Sequence, residues 1–151
     1  CIDENRGLTV TARLTAVSGP APGDTGRASL SLSEAPHHRS GNTTYRRMGW
    51  FVGSGLVRAR VTAVHVHEVE TGNLVFNVPI DTTSGPPYVI TQIFQQQSYP
   101  GPLRWNDFYD LLGSGRAYVD VHTIDQPGGH LRGTLVPEYP NWREFMHAYC
   151  S

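Results

Sequence analysis

Apolar residues at every second position, broken repeatedly by glycine and proline, limit what this chain can fold into more than any other feature. Leu8, Val10, Ala12, Leu14 and Ala16 alternate with Thr9, Thr11, Arg13 and Thr15, the period of a strand with one buried face. Sixteen glycines and eleven prolines punctuate such runs. The stretch SGPAPGDTG, Ser18 to Gly26, is turn chemistry throughout. Alternation returns at Arg27 to Leu32, and a polar loop follows from Pro36 to Thr43. Further strands are predicted over Thr44–Val52, Leu56–Val69, Leu74–Ile80, Tyr88–Gln95, Gly115–Thr123 and Gly129–Val136. One segment departs from this pattern: Trp105, Phe108 and Leu112 recur at helical spacing within Leu103–Leu112, and Gly113 follows as a stop. The expected fold is all-β, a Greek-key β-sandwich or barrel of about seven to nine antiparallel strands with one short helix near 103–112. At 151 residues the whole chain reads as a single domain with an aromatic C-terminal tail over 138–151.

The charge pattern narrows function. A formal net charge of -1 leaves no basic footprint for nucleic acid. All cationic residues are arginine and none is lysine, a choice that favours planar, multidentate contacts. No apolar run is long enough to span a membrane as a helix. Two cysteines, Cys1 and Cys150, stand at opposite ends. They read as an intrachain disulfide, as cross-links between chains, as a lipid-modified Cys1 at a cell surface, or as free thiols. Asn42-Thr43-Thr44 is a glycosylation sequon. With the cysteines it points to an oxidising, extracellular setting. Trp142, Phe145 and Tyr149 give the tail an apolar stripe that covers either its own sheet or a neighbouring subunit. The second choice implies self-association in an extracellular fibre or matrix.

Three separated pieces resemble one family. ARLTAVSGPAPGDTGRASLSLSE, Ala12 to Glu34, looks like the opening hairpin of a chordin-type (CHRD) domain. AVHVHEVETGNLV, Ala63 to Val75, is similar to that family's A-x-H-I-H segment and the turn after it. LLGSGRAYVDVHTIDQPGGHLRGTL, Leu111 to Leu135, resembles its closing signature. Together the match covers residues 10–137. Asp120 stands where the family usually has Asn, Gln126 precedes Pro127 in place of Asn, and His130 replaces the usual Glu. The resemblance implies a secreted β-sandwich with a structural or interaction role, without a required cofactor and without assigned catalytic residues.

Within that segment, VTAVHVHEVE places His65 and His67 two residues apart on a strand. His65-Val66-His67-Glu68 also looks like the copper-ligand strand of copper–zinc superoxide dismutases, which implies a copper-binding protein with redox activity. That likeness ends with these four residues. Imidazole suits copper and zinc, and an i, i+2 pair shares one face of a strand. His122 is the expected third ligand and His130 the next. Alternation through Val57, Ala59, Val61 and Ala63 would turn His65 and His67 into the core, away from His122. A β-bulge near Thr62-Ala63 would instead bury Val64 and Val66 and put His65, His67 and His122 on one outer face. The bulged register is expected, because burying two imidazoles without partners is costly. His130 and Arg132 are expected to face outward as well. Two readings therefore stand: strand histidines satisfied by hydrogen bonds, or a copper or zinc site. No Ser/His/Asp set or phosphate loop accompanies them, and His37-His38 lies in a polar loop.

Overall fold

The computed structural model describes residues 6–18, 25–36, 44–55, 61–95 and 101–138. Cys1, Asn42, Cys150 and the tail residues Trp142, Phe145 and Tyr149 lie outside them. Among the described residues, eight strands and one helix follow in order: β1 (Arg6–Ala16), β2 (Thr25–Pro36), β3 (Thr44–Ser54), β4 (Val61–Glu68), β5 (Leu74–Val78), β6 (Tyr88–Gln95), α1 (Trp105–Gly113), β7 (Ala117–Thr123) and β8 (Leu131–Pro137). They form one antiparallel sheet in the order β5-β4-β7-β8-β1-β2-β3-β6. The sheet curls into a half-barrel, so its ends approach each other as the two layers of a sandwich would.

Alternation decides which side of the curl is dry. Val10 and Leu14 on β1, Leu30 on β2, Met48 on β3, Val64 and Val66 on β4, Val119 on β7, and Leu131 and Leu135 on β8 are fully enclosed on the concave side. Their intervening neighbours, mostly hydroxyl and charged residues, form the convex face. Aromatic rings close the concavity. Trp50 of β3 stacks on Phe76 of β5 at 5.8 Å, and Phe76 stacks in turn on Phe108 of α1 at 5.7 Å. That column links a strand near one end of the sheet to the strand at the other, through contacts stabilising by about 0.5–1.5 kcal/mol per pair beyond burial.

The helix fills the remaining gap. Trp105, Phe108, Tyr109, Leu111 and Leu112 are all buried on its inward face. Its polar side carries Arg104 and Asp107, whose side chains pair at 3.2 Å in solvent. The expected stop at Gly113 lies two residues early. Gly113 is still helical, and Gly115, at φ +70°, is the residue that turns the chain. There the Gly115 N–H bonds to the Leu112 carbonyl at 3.1 Å and the Arg116 N–H to that of Leu111 at 3.1 Å, a left-handed termination that glycine adopts without steric cost. No helix among the described residues is long and apolar enough to cross a membrane.

Candidate metal centre

A one-residue irregularity sets the site. Val61 pairs with Thr123 and Ala63 with His122, leaving Thr62 as an extra residue in β4. Beyond this bulge the parity is reset: Val64 and Val66 are 0 % exposed, while His65 and His67 turn to the convex face. His122 of β7, the partner of Ala63, shares that face. One donor nitrogen from each of His65, His67 and His122 comes within 4.8 Å of the others. The His65 and His122 rings lie 4.6 Å apart, and those of His65 and His67 5.7 Å apart. Nitrogens on one tetrahedral zinc stand about 3.3 Å apart at bond lengths of about 2.0–2.1 Å.

Two turns fix the orientation of two of these rings. The β4–β5 turn places Gly72 at φ +70°, and its carbonyl accepts a hydrogen bond from His67 Nδ1 at 3.0 Å. The β7–β8 loop presents the Pro127 carbonyl to His122 Nδ1 at 2.8 Å. A carbonyl only accepts, so Nδ1 carries the hydrogen in both rings, and in the neutral form the lone pair is on Nε2. Both Nε2 atoms are buried without a hydrogen-bond partner. Nδ1–H bonded to a backbone carbonyl with Nε2 left open is how proteins hold a metal-ligating histidine.

A carboxylate lies beside these open nitrogens. Asp120, paired with His65 in register and 2 % exposed, puts Oδ2 3.5 Å from His122 Nε2 and 3.9 Å from His67 Nε2. Oδ2 also accepts a hydrogen bond from Arg132 at 3.0 Å, whereas Oδ1 is buried without a partner. The Arg132 guanidinium lies 4.8 Å over the Tyr118 ring, and His67 stacks on Tyr118 at 5.1 Å. Burial foremost, then the neighbouring His122 and His67, holds the His65 imidazole below its ordinary pKa, and Asp120 opposes them. The surroundings thus disfavour a proton on His65.

His130 does not face outward as the alternation suggested. It precedes β8, its N–H bonds to the Val121 carbonyl at 2.8 Å, and it is only 6 % exposed. Its Nδ1 lies 2.8 Å from Thr123 Oγ1, which in turn accepts the Gln126 N–H at 3.1 Å. Here His130 braces the loop that carries Pro127, and it is not one of the three histidines whose donors converge. Asp120, Tyr118 and Arg132 escaped the sequence reading as members of the site. Their signal was available, since Tyr118 and Asp120 share the parity of His122. The carbonyls of Gly72 and Pro127 left none, because their directions depend on turn geometry.

The chain belongs to the CHRD domain family, whose model matches residues 10–135. That membership suggests an interaction-type β-sandwich domain. No curated protein and no solved structure gives a significant match to the chain.

Proposed function

We propose that this CHRD domain is an interaction module whose convex face binds one copper or zinc ion through His65, His67 and His122. The observation that carries the reading is the pair of buried Nε2 atoms on His67 and His122 that lack a hydrogen-bond partner, each aimed by an Nδ1 bond to a backbone carbonyl. Leaving a buried polar atom unsatisfied costs about 1–3 kcal/mol, and a metal would remove that cost at both nitrogens. Three imidazoles suit copper, zinc and nickel, and copper(II) ranks highest in intrinsic affinity. Asp120, within reach of the same centre, supplies negative charge against the cation.

The test is direct. Chelator-treated protein titrated with copper(II) or zinc in a calorimeter should take up one equivalent. His67→Ala and His122→Ala should each weaken uptake by at least about tenfold, the usual consequence of disturbing such a shell. Failure of the unaltered protein to bind either ion would overturn the reading. The proposal also places the domain outside the cell, supported by the Asn42 sequon and by Cys1 and Cys150. Mass mapping after glycosidase treatment, and without reduction, checks both features.

A further inference from the structure

Away from the histidines, the convex face carries a second arrangement that the metal reading does not use. Arg13 on β1 and Arg27 on β2 are direct cross-strand partners, and both side chains are exposed. Like charges in such positions destabilise a sheet. Nonetheless, among the described residues neither guanidinium has an ion-pair or hydrogen-bond partner. Around them lies a surface depression of about 480 Å³, lined by Thr11, Arg13, Arg27, Ser29 and Phe51 together with Ala12 and Ala28. Every polar side chain among these carries a donor, and no carboxylate lines the depression among the described residues. Thr11 and Ser29 form the next cross-strand pair on the same face.

Phe51 supplies the apolar element. Its register partner is Ser29, and the next outward position on β3, opposite Arg27, is Gly53. The ring leans over that glycine: a Cβ on Gly53 would come within 3.0 Å of it. Phe51 is 40 % exposed, so one aromatic side chain lies along the sheet next to two guanidiniums, unpaired among the described residues, and two hydroxyls. Arginine forks match planar or tetrahedral oxyanions, hydroxyls match sugar hydroxyls, and a flat ring offers an apolar surface for the C–H face of a pyranose.

We infer that this depression binds an acidic polysaccharide, with Arg13 and Arg27 clamping a sulfate ester or uronate carboxylate while Phe51 supports the sugar ring that bears it. The ligand's charge removes the repulsion between the two guanidiniums, which favours the bound state over the free one. The site does not depend on the histidine centre, so chelation leaves it intact.

Full-length protein kept in chelator is titrated with four labelled polymers: a sulfated glycan, polygalacturonate, neutral dextran and poly-glutamate. Binding of either acidic glycan with at least tenfold preference over dextran and poly-glutamate supports the assignment, and the choice between the two identifies the oxyanion. The Arg13→Gln/Arg27→Gln double variant should bind at least about tenfold more weakly. Arg104→Gln, which removes one charge from a side chain 90 % exposed just before the helix, should bind as the parent does. Circular dichroism of these surface variants verifies that the fold is retained. No binding of either acidic glycan, undiminished binding by the double variant, or equal binding of poly-glutamate would each overturn the inference.

Discussion

Replacing His122 with glutamine separates metal binding from ordinary hydrogen bonding. In chelator-treated protein the substitution removes the 2.8 Å bond from Nδ1 to the Pro127 carbonyl, a loss of about 0.5–1.5 kcal/mol. It also removes a buried nitrogen without a partner, which offsets part of that loss. The melting temperature should therefore move by no more than about 6 °C, given about 2–4 °C per kcal/mol for a domain of this size. Metal changes the comparison. At a free ion concentration of about 100 times Kd, a site present only in the folded state adds about 2.7 kcal/mol, or about 5–11 °C by the same conversion. Scanning calorimetry with and without copper or zinc should show this increment in the parent protein and almost none in His122→Gln. His130→Gln should keep it, because that ring packs against Thr123 away from the three converging donors. A metal-induced rise in His122→Gln equal to the parent's would refute the reasoning.

Three other outcomes follow from the same geometry. Gly129→Ala forces a side chain into φ +125° and within 2.7 Å of Asp120 Oδ1; urea unfolding should record a loss of about 2–3 kcal/mol and metal uptake should weaken with it. Gly133→Ala places a Cβ on the Arg13 carbonyl oxygen, so β8 must separate from β1; amide exchange there should accelerate strongly, and unchanged protection would contradict the close approach. The third concerns pH: burial holds the folded pKa of His65 below the ordinary imidazole value of 6.5, so the unfolded chain binds more protons there as acid is added. Metal-free stability should be level above that value and fall as pH drops from 6.5 through the lower folded pKa, and His65→Gln should flatten that part of the profile.

Most of the strand layout was legible because each strand has one wet and one dry side. The β1 alternation from Leu8 to Ala16 could not be mistaken for a helix, and the Trp105, Phe108, Leu112 spacing could not be mistaken for a strand. The outward turn of His65 and His67 was legible for an energetic reason: the alternative would bury two imidazoles in place of Val64 and Val66. The column Trp50–Phe76–Phe108 was not legible, since nothing local tells a ring on β3 that it will meet one on β5. Nor was the role of Gly115, which differs from Gly113 only in the backbone angle the chain adopts. His130 was misjudged because strand parity was extended one residue past the start of β8, into a loop that obeys its own hydrogen bonds. The facing of Arg13 and Arg27 depends on hairpin register, a property of two strands together.

The extra residue at position 62 has a consequence for how mutations along β4 should be interpreted. Because its two neighbours already pair with consecutive residues of β7, excising Thr62 would leave a regular ladder with both imidazoles still outward. Excising Val66 would instead place the two histidines next to each other in sequence and turn one of them into the interior. Tolerance to a lost residue in this strand is therefore set by position relative to the bulge, and a shift of a few residues separates a silent deletion from one that dismantles the centre.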